Sequence, residues 1–370
     1  MSTIVIDGRM LGWTGIGRYT QSLLKELERL DPDNQYVVLV QRKDWDRWTP
    51  SKPNFARMET NIEPYSFGEQ WRLPWILYQQ HANIVHFLNF NSPILYLKHR
   101  IVTVHDLTLL DFKNYRGDGW HKLVYEVKYH AMRAVFRSVI GGATAVITDT
   151  KYNKDQLTQR GYIAAAKITP IPLGLSELPT VAADAKPANQ SPYLLYVGNL
   201  YPYKNLGRII EALPQLIAHH PDLKFVIVGK EDVFSKELRQ RAQELSVETA
   251  VVFTGFVTDA ELAAYYRDAT VYVFPSLSEG FGLPGLEAMG YGVPVAAARA
   301  SCLPEVYGDA AVYFNPQDVA DVARVIANLL DNDKQRADLK RRGLAHVKTF
   351  SWQRMAKQTL AVYTAALKSK

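Results

Sequence analysis

Two carboxylates, Glu279 and Glu287, stand eight positions apart around a Gly280-Phe281-Gly282-Leu283-Pro284 turn. Residues 270–274 before the turn (TVYVF) are β-branched and aromatic, as in a buried strand. Pro284, with Leu286, Ala288 and Met289 behind it, reads as the start of a helix. The turn therefore joins strand to helix. Gly280 and Gly282 let a backbone approach a ligand closely, and the amides of the first helical turn, near Leu283 and Gly285, are donors that helix geometry leaves over. An anion such as a phosphate fits there. Glu279 just before the turn and Glu287 about one turn into the helix can face the same ligand, and carboxylates accept hydrogen bonds from sugar hydroxyls. Phosphate and hydroxyls together describe a nucleotide sugar. The same residues also fit a plain glycine-rich strand-to-helix connection with a helix-capping Glu.

Three further places carry chemistry-bearing residues. A strand at 193–197 (YLLYV) runs into Gly198-Asn199-Leu200-Tyr201-Pro202-Tyr203-Lys204-Asn205; Lys204, near a helix start, would add a cation to the helix dipole at a diphosphate. His105 and Asp106 directly follow a strand at 101–104, so the imidazole projects from the carboxyl end of a parallel strand, where α/β sheets place ligands. A strand-end His bonded to backbone is the other reading, and Asp106 reads as a loop or cap residue. After the first strand, Gly12, Gly15 and Gly17 precede a helix. They suit either a tight ligand-admitting loop or a flexible connection, and their spacing is not a dinucleotide fingerprint.

The elements that must position these groups alternate in both halves. Short apolar runs at 3–7, 36–41, 84–88, 101–104 and 145–148 alternate with helical faces at 19–30 and 120–139. A second series follows at 193–197, 224–228, 251–254, 270–274 and 294–297, with helices at 206–218, 235–245, 259–266 and 319–330. That alternation predicts two parallel-sheet α/β domains. Residues 178–192, rich in Pro and Ala, are composed like a linker, which predicts a cleft between the halves. Apolar positions at Trp352, Met355, Leu360, Tyr363 and Leu367 predict a final helix that needs a docking surface.

Length and composition agree with this. A chain of 370 residues suits two domains. The formal charge of +6 does not call for a nucleic-acid partner, though an anionic small molecule or lipid surface suits it. One cysteine, Cys302, precludes an internal disulfide and fits a reducing compartment as a small core or loop residue. The chain opens on a strand pattern rather than a basic and apolar leader, and its most apolar reach, 131–148, is broken by Arg133, Arg137 and a Gly pair. The expectation is a cytoplasmic protein able to visit the inner face of the cell membrane. The helix at 120–139 mixes His121, Lys122, Lys128, His130, Arg133 and Arg137 with apolar residues; it reads either as a solvated face or as a surface for anionic lipid or a lipid-linked diphosphate.

The Glu279-to-Glu287 segment closely resembles the donor-site signature of the retaining glycosyltransferases of family four, of the GT-B class. The resemblance implies two Rossmann-like α/β/α domains facing each other across a cleft: residues 1–177, binding acceptor, and residues 190–350, binding the nucleotide sugar. It also implies that helix 351–370 crosses back to the first domain. It gives Glu279 contact with the transferred sugar, Glu287 with the nucleotide ribose, and the amides of Phe281, Gly282 and Leu283 with sugar and phosphate. The His-Asp pair is similar to one in the family whose His contacts the donor sugar near the reacting centre, which falls on His105. Gly15-Ile16-Gly17-Arg18-Tyr19 after Ile6-Asp7-Gly8-Arg9 looks like the opening of a subgroup that includes bacterial mannosyltransferases, where the loop borders acceptor and donor phosphate. Gly255-Phe256-Val257-Thr258-Asp259 matches a family segment whose backbone contacts the base, here at Val257, and Ser301-Cys302-Leu303-Pro304-Glu305-Val306 matches a turn after the next strand. One departure stands out: Asn199 occupies the place of an Arg that usually shares the diphosphate with Lys204.

Chemistry follows from these assignments. Cleaving a sugar-to-diphosphate bond develops negative charge on the leaving phosphate and positive charge on the anomeric carbon. Lys204, the turn amides and the Gly15-to-Gly17 loop suit the first; Glu279 and His105 suit the second. The resemblance implies a hexosyl transfer with retention and without metal or cofactor, from a nucleotide sugar, with GDP-mannose the first candidate, to a glycan or lipid-linked acceptor in bacterial surface polysaccharide assembly. A metal-dependent transferase using Asp44-Trp45-Asp46, and a nucleotide-sugar-binding protein without turnover, are the rivals.

Overall fold

The computed structural model describes residues 1–113, 119–181 and 191–368. Most of the linker-like stretch, 182–190, lies outside the described residues. The chain divides into two compact units, Met1–Gly174 with Ser351–Lys370, and Leu175–Phe350.

The first unit runs β1 (Thr3–Asp7), α1 (Gly15–Leu30), β2 (Gln35–Val40), β3 (Phe55–Glu59), α2 (Phe67–Gln79), β4 (Ile84–Phe87), β5 (Arg100–Val104), α3 (Thr108–Asp111), α4 (Gly119–Gly141), β6 (Ala145–Thr148), α5 (Lys151–Gln159) and β7 (Ile168–Pro170). Its strands form a sheet in the order β3-β2-β1-β4-β5-β6-β7, every pairing parallel, with Ile4 opposite both Tyr36 and Ile84. A parallel sheet covered on both faces needs strands apolar on both sides, which is why β4 and β5 are buried at every position. All strands also end on one edge, so the loops after β1, β4 and β5 gather there.

The second unit runs β8 (Tyr193–Val197), α6 (Leu206–Ile217), β9 (Lys224–Val228), α7 (Val233–Glu244), β10 (Val251–Gly255), α8 (Asp259–Asp268), β11 (Val271–Phe274), α9 (Leu283–Gly290), β12 (Val295–Ala298), α10 (Leu303–Tyr307), β13 (Ala311–Phe314), α11 (Val319–Asp331) and α12 (Asp333–His346). Its sheet is again wholly parallel, ordered β10-β9-β8-β11-β12-β13. Helix α6 lays Ile209, Ile210, Leu213 and Leu216 into the core, a stripe at helical spacing.

The closing helix α13 (Trp352–Lys368) belongs to the first unit, against α1, β4 and β6. Its Tyr363 hydroxyl lies 2.7 Å from His86 Nδ1, and His86 Nε2 lies 2.9 Å from Thr103 Oγ1. Burial drives the His86 pKa down to about 3, so the imidazole is neutral. Gly174 is where the chain meets this helix: a Cβ there would lie 2.3 Å from the Trp352 nitrogen.

The sequence pattern places ten of these strands within a residue or so of their ends but does not anticipate β3, β7 and β13, nor helices α2, α5 and α12. Pro74 lies inside α2, where periodicity alone reads a break.

Candidate active site

In the second unit, β8 ends at Val197 and the chain turns through Gly198 and a 3₁₀ turn at Pro202–Lys204. Asn205 then takes a left-handed backbone, φ 60°, as the residue capping α6. Its side-chain amide donates to the carbonyls of Pro275 (3.2 Å) and Pro316 (2.9 Å), and Leu277 N donates to the Tyr203 carbonyl at 2.8 Å. The loops after β8 and β11 are thereby pinned together. Lys204 is buried, its ammonium over the rings of Tyr203 and Phe274, and it donates to Glu279 Oε1 at 2.6 Å. The sequence assigns these two residues to opposite ends of a donor; the structure makes them each other's partner.

Glu279 is fixed through its backbone by the Ser301-Cys302 turn. Ser301 Oγ accepts from Glu279 N at 3.1 Å and Cys302 Sγ donates to Glu279 O at 3.2 Å, with Ser301 itself in a left-handed conformation. The expectation of a small buried Cys302 holds, and the residue also braces Glu279. Gly282 precedes α9 at φ 91°, where a side chain would be strained, and its carbonyl accepts from the Tyr307 hydroxyl at 2.6 Å. The Gly285 amide, expected to be available to a ligand, instead donates to the Gly282 carbonyl at 3.2 Å, closing the tight turn. Phe281 turns its ring inward, edge-on to Phe350, so a ligand contact from this residue is left to its backbone. Glu287 accepts from the Tyr266 hydroxyl at 3.1 Å, and Tyr266 stacks on Tyr291. Burial first, then the nearby Glu287 charge, holds the Tyr266 phenol protonated well above its ordinary range. Leu283 and Val257 are half-buried, Val257 just ahead of the Thr258 capping box of α8. Asn199 is exposed, its carbonyl accepting from Tyr196 at 2.7 Å.

In the first unit, His105 stands at the carboxyl end of β5 with both ring nitrogens engaged. Nδ1 lies 2.9 Å from Asp149 Oδ2 and Nε2 lies 3.0 Å from the Leu88 carbonyl. Both partners accept, so the doubly protonated ring satisfies both. Burial pulls the His105 pKa down, but the Asp149 charge and hydrogen bond outweigh it and the net direction is up. The edge of Tyr19 packs against the ring, with centroids 4.8 Å apart. Asp106 is the cap the sequence suggests: its Oδ1 accepts from Thr108 N at 2.8 Å at the start of α3.

The glycine loop after β1 is tighter than a flexible connection. Gly17 N donates to the Trp13 carbonyl at 3.0 Å, so this amide is spent within the loop, and a Cβ at Gly17 would sit 2.4 Å from the Leu11 carbonyl oxygen. At Gly15 the same methyl would meet nothing within 4 Å. Arg9 explains the Ile-Asp-Gly-Arg run: fully buried, it pairs with Asp7 through two hydrogen bonds (2.8 and 2.7 Å) and with Glu69 at 2.6 Å. Sequence reasoning misses Glu69 and Asp149, because a charge partner brought in from another strand or helix leaves no local pattern.

Asp44, the first member of the proposed metal pair, is buried with Oδ1 accepting from Arg47 Nε at 2.7 Å, and its carboxylate packs where a Gly12 side chain would be. On α4, Trp120, Leu123 and Val127 are exposed at helical spacing beside exposed Lys122, Lys128, Arg133 and Arg137. No helix among the described residues is long and apolar enough to cross a membrane.

Two wholly parallel α/β units give the chain the GT-B fold of solved glycosyltransferase structures. Residues 180–346 match the family model described as "Glycosyl transferases group 1". The chain is 29% identical over 381 residues to "O-antigen chain mannosyltransferase B" of Escherichia coli, covering 95% of this chain and 96% of that one. Among solved structures, sucrose-phosphate synthase from Thermosynechococcus elongatus superposes with a TM-score of 0.76 at 20% identity over all of both chains. HepE from Anabaena, in complex with UDP and glucose, superposes at 0.74 and 17% identity over 99% of this chain and all of that one.

Proposed function

We propose that this protein is a retaining, metal-independent hexosyltransferase that moves mannose from GDP-mannose to a glycan or lipid-linked glycan acceptor of a bacterial surface polysaccharide. The observation that carries the reading is the Lys204–Glu279 pair, two oppositely charged groups brought together at 2.6 Å beside the Gly282 turn from positions 75 residues apart. A nucleotide sugar is the ligand that uses both: its diphosphate takes the ammonium, and its hexose takes the carboxylate at hydroxyls and near the carbon where positive charge develops. Binding exchanges one buried pairing for two, so little charge is left uncompensated. Glu287 then serves the ribose, the Val257 backbone the base, and the Gly282 and Leu283 backbone the phosphate. Gly15 suits close approach of the donor phosphate, since its outer side is open. His105, with both ring nitrogens bonded inward to Asp149 and the Leu88 carbonyl, serves as a contact to the donor sugar near the reacting centre rather than as a general base.

Mannose rests on the subgroup resemblance and on the Escherichia coli relative's name. Retention would proceed by return on the same face, with the departing phosphate taking the acceptor proton. Exposed Trp120, Leu123 and Val127 beside basic residues support peripheral contact of α4 with an anionic cytoplasmic leaflet.

A thermal-shift screen of GDP-, UDP- and dTDP-sugars tests the donor. A shift with GDP-mannose supports the reading; a UDP-sugar response with none to GDP-mannose replaces the donor. Anomeric proton NMR of the product tests retention, and turnover in excess EDTA tests metal independence. Exposed Asn199 in place of a cation favours the second reading, a nucleotide-sugar-binding protein, which donor binding without transfer or hydrolysis would establish.

A further inference from the structure

Neither the donor turn nor the strand-end histidine accounts for Trp13 and Tyr65. Their ring planes lie within 16° of parallel, with centroids 6.2 Å apart. They nevertheless keep 41% and 47% of their surfaces exposed.

Considerable structure holds them in place. Tyr65 has a left-handed backbone, φ 62°, which a bulky residue adopts only when its surroundings impose it. Its amide donates to Glu69 Oε2 at 2.9 Å, and Glu69 is itself held by Arg9 and by Asn91 Nδ2, 2.8 Å from each carboxylate oxygen. A desolvated ion network thus ends in the backbone of one aromatic residue. Burial, then the Glu69 charge, push the Tyr65 phenol pKa up to about 12, against a hydrogen bond with Asn89, and Asp106 adds to the rise. Asn89 and Asp106 follow β4 and β5, so Tyr65 reaches the same sheet edge as His105. Trp13 is fixed in turn, its amide donating to the Met10 carbonyl at 2.9 Å and its carbonyl accepting from Gly17.

A rigid, exposed aromatic pair with a carboxylate near its inner end matches a neutral sugar ring. The apolar C–H face of a pyranose buries well against an aromatic face, while its hydroxyls donate to a carboxylate with lone pairs to spare. Asp106 would instead repel a phosphate or an anionic lipid headgroup. We propose that Trp13 and Tyr65 form a stacking subsite for a pyranose ring of the acceptor saccharide. This rests on the glycosyltransferase reading above and adds where the acceptor docks and by which face. Arg9, Glu69 and Asn91 act as positioning residues that preset the Tyr65 ring.

The test uses the full chain with α-linked mannotriose, maltotriose and N-acetylchitotriose as probes, read by saturation-transfer NMR from aromatic protons to sugar C–H protons. Trp13→Ala should weaken the bound trisaccharide about tenfold, and Trp13→Phe should restore most of it. In transfer assays the acceptor KM should rise by a similar factor in Trp13→Ala while the donor KM moves less than about threefold. Tyr65→Ala repeats the test should Trp13→Ala melt early. Unchanged trisaccharide affinity in folded Trp13→Ala and Tyr65→Ala overturns the subsite. So does a Trp13-dependent fluorescence response to phosphatidylglycerol vesicles and to none of the three sugars. Loss of donor binding by the wild-type protein is a separate result, and sinks the glycosyltransferase reading instead.

Discussion

Lys204 and Glu279 share a hydrogen bond of 2.6 Å with only 11% and 12% of their side chains exposed. Removing either partner strands a nearly buried charge. Lys204→Met or Glu279→Gln alone should cost about 1–3 kcal/mol, and the double variant should cost less than the sum. Thermal melts of the four proteins measure this coupling. Either single change should also abolish the GDP-mannose shift or the turnover that follows it, Lys204→Met through donor affinity and Glu279→Gln through kcat.

Gly15 and Gly17 should separate cleanly. Gly17→Ala drives a methyl into the Leu11 carbonyl at 2.4 Å and should destabilise the first unit by about 1–3 kcal/mol. Gly15→Ala meets nothing within 4 Å, so its melting temperature should stay close to wild type while donor KM rises. A Gly15→Ala enzyme with unaltered KM would place the donor elsewhere.

His105 should titrate above the usual histidine value of about 6.5, and Asp149→Asn should lower it. The reason is that Asp149 supplies the main upward push; once its charge is gone, only the Asp106 charge and the Leu88 carbonyl oppose burial. Two-dimensional NMR of the imidazole resonances through a pH series reads both values; unchanged titration in Asp149→Asn would deny the pairing.

His86 and His105 should pull stability in opposite directions with pH. The folded His86 pKa, about 3, lies below the unfolded value of about 6.5. Its contribution is therefore present above pH 6.5 and lost as the pH falls toward 3, at up to about 1.4 kcal/mol per pH unit. His105 is raised, so its contribution is present below about 6.5 and lost as the pH rises through its folded value. Between about pH 6.5 and 5, where few carboxylates titrate, His86→Gln should flatten the acid-side loss seen in urea melts.

Most of the fold is legible in the sequence because fully buried parallel strands write themselves as short apolar runs. β1, β6, β8 and β9 are read to the residue. β3 (FARME) escapes because it is an edge strand whose outward positions carry charge. α12 escapes because its stripe is thin, with Leu339 and Gly343 as its buried positions. In the candidate site, local motifs reveal Glu279, Glu287, Lys204 and His105 but not their partners. The Lys204–Glu279 bond and the Tyr65–Glu69–Arg9 chain are properties of packing, and no spacing rule connects residues 9, 65 and 69.

Docking of α13 on the first sheet has a consequence for synthesis on the ribosome. The hydroxyl that satisfies His86 Nδ1 belongs to Tyr363, 277 residues later. The first unit thus waits with an open seam between β4, β6 and α1 until α13 has been made. The unit encoded between its two pieces is complete first, so nascent chains stalled short of Trp352 should expose apolar surface to chaperones from the older half of the polypeptide.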